Sequence, residues 1–405
     1  MKRLLYIICL LLTMPLLAFG QQGVNNEHPE APAKDAVVVS LLTCSPGNLV
    51  YELYGHTAIR VRNLNEATND WVFNYGTFSF KQPHFMWRFV LGQTDYELGV
   101  VPYPLFYESY AREGRSINEL VLNLTPTEAK RLEEALANNL VPENATYRYN
   151  FFYDNCVTRA LHKIEEAVDG KVLWPKVEES KTLRNIVHEF SNRSPWNLFG
   201  QDLLLGAETD QPANINQQMF APLYAEQFAR KAMIVDRNGT KRHLVANEVS
   251  LLPAQPGVAK DEGGFPLLPI TTFGILFAFT IGMGLIEYVK KKYYWLYDVL
   301  LFVAQGLTGC IVTFLFCFST HPAVGSNWLV LLFNPLPLLL FPWYMKAASQ
   351  RKRSWGAYFE MVMLVATLGV AVWGVQRFPT EVYFIMATLV LRLVAHFAYT
   401  KPTKK

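Results

Sequence analysis

A chain of 405 residues that is 51% hydrophobic and only 18% charged is too apolar for a purely soluble protein of its size. The net charge of +3, with no Lys/Arg-rich block before the C-terminal third, offers no basic surface for nucleic acid. The histidines fall in no HxH or HExxH pattern and no Gly-rich phosphate loop occurs, so no metal and no cofactor is expected.

Residues 1–20, MKRLLYIICLLLTMPLLAFG, have a basic start at Lys2 and Arg3, an apolar run and a small-x-small ending at Ala18-Phe19-Gly20. This is the pattern of a secretory signal peptide, and the domain behind it is expected to be exported. Of five cysteines, Cys9 lies in that peptide and Cys310 and Cys317 in a later apolar run, leaving Cys44 and Cys156 in an oxidising compartment where a disulfide is permitted.

Residues 21–255 form the expected soluble domain. AVVVSLLTC, HTAIRVRN and DWVFNYGTF read as strands separated by turn residues. Thr125-Pro126 with Glu128 predicts a capped helix start, because Thr and Glu three apart can satisfy each other's backbone N–H. TYRYNFFY reads as extended and leads into DNCVTRALHKIEEAV, where Val157, Leu161, Ile164 and Val168 recur at helical spacing. TLRNIVHEF also looks helical. Residues 256–266, rich in Pro and Gly, are expected to be a linker.

From 267 to 400 there are five apolar stretches, near 267–289, 296–318, 328–345, 357–376 and 380–399. Each suits a membrane helix of roughly 20 residues. Lys290–Lys292, Lys346 with Arg351–Arg353, and the tail 401–405 put the basic loops on one side, which the positive-inside rule makes cytoplasmic. The first span then enters from outside, in agreement with the exported domain. The third span contains Asn334, Pro335, Pro337 and Pro342 and is expected to be kinked or broken. Arg392 and His396, near the inner end of the last span, are expected to snorkel.

Cys156 opens a helix, where unpaired backbone N–H groups and the helix dipole favour a thiolate. A cysteine nucleophile needs a base and a group that orients the base. His56, at the start of a strand after Gly55, is the candidate base. Gly55-His56 on a strand, Asn74 on the next and Asn155-Cys156 at a helix start resemble the circularly permuted papain-like hydrolases, which include lecithin:retinol acyltransferase and permuted NlpC/P60 enzymes. That resemblance implies Cys156 as nucleophile, His56 as base and Asn74 as the third member, with Asp70 and His84 as rivals for the last role.

A second resemblance covers most of the chain. LLTCSPGNLVYELYGHTAIRVRN, YRYNFFYDNCVTRALHKIE and STHPAVGSNWLVLLFNPLPL are similar to the Lnb-type lipoprotein N-acyltransferases. It implies an α+β, circularly permuted papain-like (NlpC/P60-like) domain followed by an all-α bundle of about five transmembrane helices. It also implies an inner-membrane enzyme that moves a fatty acyl chain from a membrane phospholipid, through a Cys156 thioester, to the amino group of a lipoprotein's N-terminal cysteine. For this chemistry the Cys156 backbone N–H, with the Asn155 amide or Tyr54, is expected to hold the oxyanion. Arg60 and Arg62 are candidates for a phosphate headgroup, and His321 and Asn327 for contact with lipid or with the soluble domain. Aromatic residues of Phe85–Val90 and Val100–Tyr110 line an apolar mouth or belong to the core. Three rival readings are a Cys44–Cys156 disulfide, a cell-wall peptide hydrolase and a non-enzymatic membrane adaptor.

Overall fold

The computed structural model describes residues 37–66, 68–78, 83–177, 180–255 and 265–402. The expected signal peptide and all but the last two residues of the linker lie outside the described residues.

A seven-stranded antiparallel sheet organises the soluble part. In chain order its strands are β1 (Val37–Cys44), β2 (His56–Asn63), β3 (Asp70–Thr77), β4 (Asp95–Pro102), β5 (Ile117–Leu122), β6 (Thr146–Arg148) and, after three short strands β7 (Lys171–Leu173), β8 (Met233–Val235) and β9 (Lys241–His243), β10 (Val245–Leu252). Their spatial order is β10-β5-β1-β2-β3-β4-β6, and β7, β8 and β9 make a separate small sheet. Period-two alternation sends Ile59, Val61, Phe73, Tyr75 and Leu120 to one face and Leu42, Ala58, Val72 and Ile117 to the other. Helix α1 (Phe85–Val90) precedes β4, and α2 (Tyr103–Arg112) covers the second face through Phe106. The first face is covered by α3 (Pro126–Asn138), α4 (Cys156–Ala167) and, further along, α7 (Pro222–Ala229). Between them α5 (Leu183–Ser191) and α6 (Pro195–Leu204) form a satellite layer with their own core of Leu183, Ile186, Val187, Leu205 and Phe220.

The capping box at α3 forms as the spacing predicts: Thr125 Oγ1 accepts from the Glu128 N–H at 3.3 Å and Glu128 Oε2 accepts from the Thr125 N–H at 2.8 Å. TYRYNFFY differs from expectation. Only Thr146–Arg148 is a strand, because Asn150 Oδ1 accepts from the Phe152 and Tyr153 N–H groups, both at 3.2 Å, and folds the chain into a turn before α4.

Five helical spans complete the chain: α8 (Pro269–Lys290), α9 (Trp295–Phe318), a third over Trp328–Ser349, α11 (Trp355–Val372) and α12 (Thr380–Tyr399). The third is broken. A short turn, Trp328–Leu331, is followed by α10 (Leu336–Ser349), and the Asn334-Pro335 step that separates them packs its backbone against Gly309 of α9. The break is thereby covered by protein, which an irregular backbone at membrane depth requires.

Arg392 and His396 do not snorkel. Both are buried: Arg392 Nη1 and Nη2 donate to the two Glu287 oxygens at 2.8 and 2.9 Å, and its Nε pairs with Asp298. Tyr293 and Tyr344 bond Asp298, and His396 Nδ1 lies 3.1 Å from the Tyr293 hydroxyl. Carboxylates from α8 and α9 meet the guanidinium inside the bundle, so it has no need of the headgroups.

Candidate functional site

Three elements converge on one cavity of about 270 Å³. The first is the start of β2. Gly55 has φ +84°, and a Cβ there would sit 2.4 Å from the Cys44 carbonyl oxygen, so only glycine lets the chain turn sharply into the strand. His56 is the next residue and opens onto the cavity. The second is β3, whose Asn74 Oδ1 lies 3.1 Å from His56 Nε2. Asn74 Nδ2 donates to the Val72 carbonyl at 3.2 Å, which fixes the orientation of the amide. Its oxygen therefore faces the imidazole, Nε2 carries the proton and Nδ1 keeps the lone pair that a base requires.

The third element is α4. Asn155 is its N-cap, with Oδ1 accepting from Val157 and Thr158 at 2.9 and 3.0 Å, and Cys156 is its first residue. Both amide hydrogens of Asn155 are already given to the Phe151 and Phe220 carbonyls at 2.9 and 2.8 Å. The buried amide thus anchors the helix start, and its side chain is not an oxyanion donor. The same holds for Tyr54, whose hydroxyl donates to Gln201 at 3.0 Å and lies 3.3 Å from Ser191. Sequence reasoning missed a backbone group instead. The N–H groups of Thr57, Cys156 and Val157 reach the sulfur, so the Cys156 and Thr57 amides are the donors on hand for a developing oxyanion. Backbone donors carry no residue-type signal, and only the pairing of α4 with β2 exposes them.

Burial pushes the Cys156 thiol above its ordinary pKa, and those three amides pull it partly back. Burial takes His56 down to about 4, against the raising effect of Asn74 and with a further lowering by Arg115. The pair is accordingly a neutral thiol beside a neutral imidazole at neutral pH. This corrects the expectation drawn from the helix start alone: desolvation outweighs the dipole. Cys44 and Cys156 are both free thiols, and burial takes Cys44 up to about 12.

The remaining candidates are distributed elsewhere. Asp70 and Arg60 are tied together (2.6 Å), Arg60 also bonds Glu119 at 3.1 Å, and its guanidinium lies 3.5 Å from the Tyr103 ring centre. Arg60 is therefore a buried internal cation with no valence left for a phosphate. Arg62, opposite Asp70 in the β2–β3 register, does not line the cavity. His84 caps α1.

His321 and Asn327 fasten the soluble domain to the bundle. His321 Nε2 lies 3.0 Å from the Phe89 carbonyl oxygen, and Thr320 bonds the Leu91 and Gly92 carbonyls. Asn327 Nδ2 donates to Leu203 at 2.8 Å, while Gln376 joins Asn327 and the Leu205 carbonyl at 3.0 Å each. Gly206 packs on this loop so tightly that a Cβ would meet Ser326 at 2.6 Å. Both loops that lack a basic cluster, 319–327 and 373–379, thus hold the soluble domain.

The cavity has two kinds of wall. Phe78, Tyr96 and Tyr149 line one side, and Phe78 stacks on Phe85 of α1 at 5.4 Å. On the same short helix Met86, Trp87 and Phe89 are exposed, and Trp87 lies 5.1 Å from Phe314 in the last turn or so of α9. Rings in contact run from Phe89 and Phe85 of α1 through Phe78 to Tyr96 and Tyr149 at the cavity, and the same short helix touches the membrane-spanning α9 through Trp87. Glu52, Tyr110 and Arg115 also line the cavity. Among the described residues no group of three His, Cys, Asp or Glu side chains is placed to hold a metal ion.

Two family models match the chain in tandem: the Lnb N-terminal periplasmic domain over residues 28–189 and the Lnb transmembrane domain over residues 260–404. No curated protein and no solved structure matches it.

Proposed function

The chain belongs to the Lnb family, and on that premise we propose that it is a lipoprotein N-acyltransferase with a circularly permuted papain-like catalytic domain. It takes its acyl chain from a membrane phospholipid, holds it as a Cys156 thioester, and delivers it to the amino group of a lipoprotein's N-terminal cysteine. The observation that carries this reading is the cavity lined by both Cys156 and His56, with aromatic lining packed on a short helix that touches a membrane-spanning helix.

In the first half-reaction His56 Nδ1 takes the thiol proton as sulfur attacks the ester carbonyl. Asn74 steadies the imidazolium through Nε2–H. The Cys156 and Thr57 amides receive the oxyanion. The imidazolium then protonates the departing alkoxide, releasing a lysophospholipid. In the second half-reaction an amine displaces the thiol. Water must be kept from the thioester meanwhile, and the aromatic wall suits that need.

The enzyme sits in the inner membrane with its soluble domain in the periplasm and its C-terminus in the cytoplasm. The positive-inside rule supports this, and so does the docking of the domain on the two loops without basic clusters. A cell-wall peptide substrate has no use for a cavity held beside five membrane spans, and a binding adaptor has none for an oriented imidazole. The test is Cys156→Ala followed by mass spectrometry of lipoprotein N-termini and of cell-wall peptides. Loss of N-acylation with unchanged peptides is expected; full N-acylation in the variant overturns the proposal. A hydroxylamine-labile acyl group on Cys156 should be trapped in the native chain.

A further inference from the structure

The polar wall of the cavity bears the ionic side chains Glu52, His56 and Arg115 among its described lining residues. Arg115 is committed. Its Nε donates to the Ser45 carbonyl at 2.9 Å, Nη1 donates to Glu113 at 2.9 Å, and the guanidinium lies 4.6 Å from the Tyr110 ring centre. Glu52 is held more loosely: Oε2 accepts the Leu49 N–H at 3.3 Å, and Oε1 makes only a long ion pair with Arg115 Nη1 at 3.8 Å, beyond a hydrogen bond. Arg115 is shared between Glu113, which does not line the cavity, and Glu52, which does, so the Glu52 carboxylate faces the cavity with its nearest counter-charge already hydrogen-bonded elsewhere. A carboxylate placed in this way attracts a second cation.

Given the acyl-transfer reading, on which this inference rests, we infer that Glu52 forms an ammonium-binding subsite that receives the protonated α-amino group of the acceptor. Three residues of a tight turn, Leu53, Tyr54 and Gly55, separate Glu52 from His56, and both border the same cavity as the thiol. Tyr51 lies next to Glu52 in the chain and lines the same cavity, so an aromatic ring is at hand for a bound cation. The ammonium loses one proton to solvent on reaching the thioester. Its nitrogen then attacks the carbonyl, the C–N bond forms as the C–S bond breaks, and the amine's second proton passes through His56 to the departing sulfur. The products are an amide and the regenerated thiol.

The experiment uses the full chain in phospholipid vesicles with a diacylglyceryl-cysteine peptide as acceptor. In Glu52→Gln, thioester formation on Cys156 should stay within about twofold, while N-acylation falls about tenfold or more, as expected for loss of a charge-assisted hydrogen bond. The thioester should accumulate, its cleavage by neutral hydroxylamine should be unchanged, and Glu52→Asp should recover part of the loss. Thioester formation doubles as the control for folding. Unchanged N-acylation in Glu52→Gln, or an equal fall in thioester formation or hydroxylamine cleavage, overturns the subsite. A native chain that never forms the thioester sinks the acyl-transfer reading itself, whatever Glu52 does.

Discussion

At the scale of single residues, Cys156 and His56 line one cavity as two uncharged groups. With His56 held to about 4, its base form persists through the range in which an ordinary histidine protonates. Thioester formation should stay level from about pH 8 down to about pH 5 and fall only near pH 4; a limb near pH 6.5 would contradict this environment. Stability changes with a definite sign. Between about 4 and about 6.5 the unfolded chain binds a proton at this position that the folded chain refuses, so acidification through that window destabilises the fold. The raised Cys156 thiol should react slowly with iodoacetamide at neutral pH and speed up under alkaline conditions. Asn74→Ala should lower the rate of thioester formation by about tenfold to a hundredfold while leaving the fold intact, because it removes only the group that fixes the ring. That Cys156, His56 and Asn74 belong together was legible as a candidate set from residue type and order, and the fold brings His56 to Asn74 and to the cavity of Cys156. Glu52, Arg115 and the Thr57 amide were not legible. Nothing in a local motif says that a turn carboxylate will line the same cavity or that a backbone N–H of another element will reach the sulfur.

At the scale of elements, the helix start at Asn155 couples stability to chemistry. Its amide satisfies two helix N–H groups and the carbonyls of Phe151 and Phe220, residues that both line the cavity. Asn155→Ala should cost about 2 kcal/mol or more in a thermal melt, above an ordinary cap, and should slow thioester formation as the first turn of α4 loosens. Asn155→Asp keeps the acceptor and loses both donations, so it should fall between. The strands and the Thr125 helix were readable because alternation, turn residues and capping chemistry are local. The turn at Asn150 overrode strand propensity, since one side-chain oxygen took two backbone N–H groups that an extended chain would have left for a neighbour. The same limit applies to Arg60 and to Arg392. Sequence gives their charge, and only packing reveals the carboxylates that absorb it.

At the scale of the whole molecule, five spans and their loops were evident from hydropathy and charge, but the contents of the bundle were not. Arg392 sits against Glu287 and Asp298 with all three side chains at 1% exposure or less. Arg392→Met should leave two carboxylates stranded and destabilise the protein in detergent by about 3–5 kcal/mol. Adding Glu287→Gln and Asp298→Asn should restore much of the loss, as measured by thermal aggregation. The double attachment of the soluble domain, at His321 and at Asn327 with Gln376, has a further consequence. Bolted at two corners, the soluble domain has no tether with which to roam. On the proposed reading, a lipoprotein has to be finished while still rooted in the same leaflet, so departure for another membrane sets the deadline for its final acyl chain.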